Sequence, residues 1–148
     1  MIVADFLSPS HALVDVDASN KVQLLRDLSK RAAVSARLDG DEVSNAILKR
    51  ETLGSTAIGG GIAIPHARFP DLKRPFGILV RLKNAIDFDA IDSGPVDIVF
   101  LLLLPGTPDG DPLNALAGVT RKLRNSETTT RMRRARNGED MYRAIATD

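Results

Sequence analysis

The 148-residue chain has no cysteine and no tryptophan, and only two histidines, one tyrosine and five phenylalanines. Without cysteine there are no disulfides, no thiolate nucleophile and no cysteine-ligated zinc. Aromatic residues at 4% are too sparse for a surface that stacks nucleic-acid bases. Long apolar runs are missing as well. The longest is Ile98 to Leu104, seven residues, whereas a membrane-crossing helix takes about 20. The start, Met1 to Pro9, lacks a basic region and is broken by Asp5 and Pro9, so no secretory leader is expected and a cytoplasmic location is. Neither charge sign dominates, with 20 Lys and Arg against 19 Asp and Glu.

What is present suits one globular domain. Hydrophobic residues make up 43% and charged residues 26%, and a chain of this length buries roughly 68–70% of its unfolded surface without staples. The charge is unevenly spread. Residues 121–148 hold eight Lys or Arg and four acids, a balance of +4, which leaves −3 for the rest. This basic tail could serve as a nucleic-acid patch. The absence of interleaved aromatics and the balanced total favour the solvated face of a terminal helix, so no nucleic-acid partner is expected. Six Asp and no Lys or Arg lie between Asn84 and Thr120. They could suggest a metal site, but turns and strand ends account for acids at that spacing, and no metal is expected.

Periodicity predicts a helix from about Asn20 to Arg37, capped by Ser19 or Asn20, with Val22, Leu25, Leu28, Ala32 and Ala36 as its apolar stripe. A second helix is predicted from Gly40 to about Thr52, with Asp39 as N-cap and Glu42 completing a capping box. Its apolar face holds Val43, Ala46 and Ile47, and the next position on that face is Arg50, a charge aimed inward that needs a polar or anionic partner. Ile62 to Ile64 reads as a short strand stopped by Pro65. Phe76, Ile78, Val80 and Leu82 alternate with Gly77, Leu79 and Arg81, as in a strand with one buried face. Val96 to Leu104 reads as a central strand covered on both faces. Asp111 and Pro112 look like an N-cap and N1 opening a helix that runs through Leu123, and a last short helix is expected from Asp140 to Ala146. Interleaved helices and strands imply a single α/β domain with a mixed sheet.

The chemistry concentrates between residues 50 and 68. His11 has no charged or glycine-rich neighbours and reads as an ordinary near-surface residue. His66 follows Gly59-Gly60-Gly61 and a strand, and Pro65 fixes the backbone just before it. A stiff approach puts the ring in a defined place, as a nucleophile requires. Gly54, Ser55 and Thr56 offer small side chains, hydroxyls and accessible N–H groups that suit phosphate oxygens, and Arg50 and Arg68 could reach the same anion. On spacing alone the alternatives stay open: a lone histidine can be structural, and three glycines can be a flexible turn. The Gly-Lys-Ser/Thr ending of a Walker P-loop is missing.

The run from Arg50 to His66 as a whole closely resembles the active-site signature of phosphotransferase-system (PTS) enzyme IIA domains of the fructose, mannitol and nitrogen type. The matching positions are Arg50, Glu51, Gly54, Ser55, Thr56, Ile58, Gly59, Gly61, Ala63, Ile64, Pro65 and His66. The resemblance continues through Phe88 to Asp92, Pro95 to Asp97 and Leu113 to Leu123, and so covers essentially the whole chain, residues 1–148, with the free-standing nitrogen-regulatory members nearest. It implies a single α/β domain with a mixed sheet and helices on both faces. It also implies that a histidine phosphocarrier protein phosphorylates His66 on Nε2, that Arg50 neutralises the phosphoryl charge, and that Gly54, Ser55 and Thr56 line the site. Many relatives carry a second histidine near the start of the helix holding Leu113 and Leu116. That position is Asn114 here, which can donate a hydrogen bond to phosphate but cannot titrate near neutrality. No cofactor is expected. The favoured function is a regulatory phosphocarrier whose state controls a transporter, a sensor kinase or a metabolic enzyme. The alternatives are a sugar-specific component passing phosphate to a separate IIB domain, and a binding module that never turns over phosphate.

Overall fold

Asp39 starts a helix as predicted. Its Oδ1 accepts from the amides of Asp41 and Glu42 at 2.9 and 3.0 Å, satisfying donors that a helix start leaves orphaned. The computed structural model describes residues 2–106 and 110–147, with the side chains of 110–114 excepted. Among these residues the first two helices are α1, Lys21–Ala36, and α2, Gly40–Thr52. Asn20, not Ser19, caps α1, accepting from the Gln23 amide, and Arg37 ends it in the left-handed region. The buried stripe of α1 is Leu24, Leu25, Leu28, Ser29, Ala32 and Ala33; the expected Val22 is exposed, because the face turned to the sheet begins one turn later.

Among the described residues six strands form one mixed sheet: β1 Ala12–Val16, β2 Ala57–Gly59, β3 Ile62–Ala63, β4 His66–Phe69, β5 Phe76–Ile86 and β6 Val96–Pro105. β6 is its spine. It pairs antiparallel with β5 on one side and parallel with β3 and then β4 on the other. β1 adds parallel to β5, and β2 antiparallel to β3. Pro65 therefore interrupts a strand rather than ending one. It has no N–H to give, but its carbonyl accepts from the Leu102 amide at 2.8 Å, and pairing resumes at His66 opposite Leu102.

Alternation along β6 divides the core. Val99, Leu101 and Leu103 join Ile78, Val80 and Leu82 of β5 under α1 and α2. Ile98, Phe100, Leu102 and Leu104 join Leu79 on the opposite face, covered by α3, Gly110–Arg124, α4, Ser126–Arg134, and α5, Gly138–Ala146. The expectation of one buried face for β5 is corrected: Gly77 and Leu79 are buried too, because a short 3-10 turn at Val3–Asp5 and α5 close the second face. α3 begins at Gly110, so Asp111 lies inside the helix rather than capping it.

The basic tail spans the end of α3 and two further helices, and its arginines are exposed, as a solvated face implies. α4 buries Thr129 and Met132, and α5 buries Met141, Ala144 and Ile145. Asn125 and Asn137 cap their starts. Arg81 of β5 closes the end of α4, its Nη1 donating to the carbonyls of Met132, Arg133 and Ala135 at 2.9, 3.2 and 2.8 Å. No helix among the described residues is long and apolar enough to cross a membrane.

The second face packs tightly at Gly77. A Cβ there would lie 2.5 Å from the Cε1 of the fully buried Phe100. Gly77→Ala should lower stability by about 1–3 kcal/mol, read as a reduced urea midpoint with an unchanged slope.

Candidate functional site

His66 is the first residue of β4 and is half-buried. Its Nδ1 lies 2.8 Å from the carbonyl oxygen of Ile64, across the Pro65 break. A carbonyl only accepts, so Nδ1 carries the proton and the neutral ring keeps its lone pair on Nε2. Burial lowers the imidazole pKa from its ordinary 6.5, and the Arg50 and Arg68 guanidiniums add to that; the Ile64 bond and the Glu51 carboxylate oppose it. The net direction is downward, which favours the neutral ring at neutral pH.

α2 packs against β4 and ends beside the ring. The charge it buries on its inner face is Glu51, 8% exposed, four residues after Ile47, which is four after Val43. Arg50 sits at the edge of that face, half-buried, and its Nη1 donates to the Gly54 carbonyl at 2.9 Å. This corrects the expectation that Arg50 is the inward charge: a helical face recurs at i+4 as well as i+3, and here i+4 faces in.

The turn after α2 is held from below. Both Thr56 polar groups turn to Glu51: its amide lies 3.3 Å from each carboxylate oxygen, and its hydroxyl bonds the same group. Lys21 of α1 reaches Glu51 at 2.7 Å and covers the Phe88 ring at 4.8 Å. The Ser55 hydroxyl donates to the Phe88 carbonyl at 2.7 Å and accepts from the Ala57 amide at 3.1 Å. Gly54 is exposed, with φ +154°.

The three-glycine turn is tied to its neighbours by hydrogen bonds at Gly60. Gly59, Gly60 and Gly61 take φ of +93°, +67° and +82°, values that favour glycine. Asp92 accepts from the Gly60 amide at 3.1 Å. Arg133 of α4 donates to the Gly60 carbonyl at 2.7 Å while its Nε and Nη2 clasp Asp97 at 3.0 and 2.8 Å. Asp92 and Asp97 thus have structural partners, as does Asp87, which accepts from the Asp89 amide at 2.9 Å.

Residues 5–147 match the model of the family described as phosphoenolpyruvate-dependent sugar phosphotransferase system, EIIA 2. The chain belongs to this family. It is 38% identical over 146 residues to a nitrogen regulatory protein of Bradyrhizobium diazoefficiens, covering 99% of this chain and 95% of that one. A nitrogen regulatory protein of Escherichia coli K12 is 40% identical over 131 residues, 88% of this chain and 80% of that one. The crystal structure of nitrogen regulatory protein IIA-Ntr from Neisseria meningitidis superposes with a TM-score of 0.91 at 27% identity, over 97% of this chain and 98% of that one. As a member of the EIIA 2 family the chain has a PTS IIA-type role and is a phosphotransferase component.

Of the residues singled out in the sequence, Arg50 and Arg68 both act electrostatically on His66. Gly54 is tied to Arg50, whereas Ser55 and Thr56 are engaged by Phe88 and Glu51. The Asn114 side chain lies outside the described residues, as do those of Asp109 and Asp111. His11 is more engaged than expected. Its ring nitrogens lie 2.9 Å from Ser8 Oγ and 3.2 Å from Ser35 Oγ, and the ring stands edge-on to Phe76 at 5.0 Å. Sequence reasoning missed Glu51 and Lys21 as a supporting pair; the i, i+4 spacing from Val43 and Ile47 was the available signal for Glu51.

The electrostatics set a titration. The His66 midpoint, followed by NMR of the ring, should lie below 6.5. In Arg50→Ala it should move up, because removing a cation favours imidazolium.

Proposed function

We propose that this IIA protein is a regulatory phosphohistidine carrier of the nitrogen-regulatory phosphotransferase system. His66 Nε2 takes a phosphoryl group from a histidine phosphocarrier protein, and the phosphorylation state governs binding to a transporter, a sensor kinase or a metabolic enzyme. The observation that carries this reading is the His66 Nδ1 bond to the Ile64 carbonyl, which supports a lone pair on Nε2. The relatives named nitrogen regulatory protein support the regulatory branch.

The transfer balances without an outside base. Nε2 attacks the phosphorus of the donor's phosphohistidine and a new N–P bond forms. The old N–P bond breaks with its electron pair left on the donor nitrogen. A donor ring that arrives protonated on its other nitrogen leaves neutral. The His66 ring, with Nδ1–H and Nε2–P, becomes cationic, and the Ile64 carbonyl accepts from that cation. The loose transition state of phosphoryl transfer makes positioning and charge neutralisation the main work. Arg50 has N–H groups beyond the one engaged by Gly54, and Arg68 adds a second cation. Gly54 and Ser55 contribute backbone at the rim, Thr56 holds the turn, and Asn114 supplies an amide donor in place of a second histidine. Phosphorylation brings about two negative charges to the site, enough to change which partner surface docks there.

Incubation with phosphoenolpyruvate, enzyme I and the phosphocarrier protein should give an acid-labile, base-stable label on the wild type and none on His66→Ala. Arg50→Ala should fold and take up label about 100-fold more slowly. An unlabelled wild type leaves only a binding module. Label that drains to sugar when IIB proteins are added moves the protein to the transport branch.

A further inference from the structure

A continuous chain of polar contacts runs from α1 to the nucleophile. Lys21 Nζ meets Glu51 Oε2 at 2.7 Å. The Glu51 carboxylate accepts from the Thr56 amide and hydroxyl. The Thr56 carbonyl accepts from the Ile64 amide at 3.0 Å. The Ile64 carbonyl accepts from His66 Nδ1 at 2.8 Å. Every link but the last lies beneath the surface: Glu51, Thr56 and Ile64 are buried at 8%, 6% and 2% exposure. Lys21 is fixed in turn, donating to the Phe88 carbonyl at 3.3 Å and lying over the Phe88 ring.

We infer that the Lys21–Glu51 pair is the positioning device of the site: by holding Thr56 it fixes the Ile64 carbonyl, and so selects the His66 tautomer that leaves Nε2 free. The inference rests on the proposed role of His66 as phosphoryl acceptor, but its primary readout does not. An ion pair that served only to join α1 to α2 would not need to engage both polar groups of Thr56. Nor would it need to sit on the one residue whose carbonyl meets Ile64. Deep charge pairs usually require complete hydrogen bonding, and here the hydrogen bonds that complete it belong to the loop behind the nucleophile. Three charges act on the ring: Arg50 from α2 and Arg68 from β4 disfavour the imidazolium, and Glu51 of the pair favours it.

Glu51→Gln keeps the shape and removes the charge, and Thr56→Val keeps the bulk and removes the hydroxyl. Nitrogen NMR of the His66 ring in the full chain at neutral pH reads the tautomer directly. The wild type should show a protonated Nδ1 and an unprotonated Nε2, and both variants a mixture. The His66 midpoint should fall in Glu51→Gln, the reverse of its shift in Arg50→Ala. With the phosphocarrier protein as donor, both variants should lose about tenfold to a hundredfold in maximal uptake rate with an unchanged KM. Lys21→Met, which leaves Thr56 and Glu51 untouched, should show the same tautomer mixing and covers the case where Glu51→Gln fails to fold. Variants that melt earlier but keep the wild-type tautomer and maximal rate would overturn the inference. A wild type with protonated Nδ1 that takes up no phosphate would overturn the carrier reading and leave the positioning inference standing.

Discussion

One hydrogen bond organises this molecule's chemistry: the donation from His66 Nδ1 to the Ile64 carbonyl. An imidazole has two nitrogens of similar basicity, and nothing in the ring itself says which should react. Here the backbone decides. The bond exists because Pro65 breaks the run between β3 and β4, so that residue 64 turns its carbonyl toward the side chain two positions on. It persists because β6 holds both sides of the break, pairing with Ala63 through Val99 and with His66 through Leu102. A parallel neighbour buried on both faces is a rigid reference, and the ring inherits that rigidity.

Around the ring the charges are graded. Burial and two arginines favour the neutral imidazole, while one carboxylate tempers them. Under the proposed carrier role, the same arginines that disfavour imidazolium would favour an arriving phosphoryl group, so a single electrostatic arrangement would keep the nucleophile ready and suit an anionic product. The two faces of the sheet contribute separately. α2 delivers Arg50 and Glu51 from one side. α4 sends Arg133 from the other to clasp Asp97 and the Gly60 carbonyl. The three consecutive positive φ angles are thereby tied down at Gly60, through Asp92 and Arg133, and at Gly61, whose carbonyl accepts from the Asp97 and Ile98 amides.

How far the sequence reveals this differs by element. α2 is legible to the residue because Asp39 and the Val43–Ile47 spacing are local signals, and β6 is legible because its apolar run is long. β4 is hidden: four residues after a proline carry no periodicity, and their pairing depends on β6, some 35 residues downstream. α4 is hidden by its composition, since Thr and Arg runs bury little; the Asn125 cap and the Arg81 clamp from β5 supply what propensity does not. At the site, His66 and Arg50 stand out by residue type. Glu51 and Lys21 do not, because their meaning lies in a contact between residues thirty apart. The family signature includes Glu51 without saying what it does.

The most direct measurement is phosphorus–nitrogen correlation NMR on the isotope-labelled, phosphorylated protein, which identifies the nitrogen bonded to phosphorus. If the Ile64 carbonyl chooses the reactive atom, the phosphoryl group sits on His66 Nε2 while Nδ1 keeps its proton. Phosphorus bonded to Nδ1, or to any residue other than His66, would contradict the account at its root.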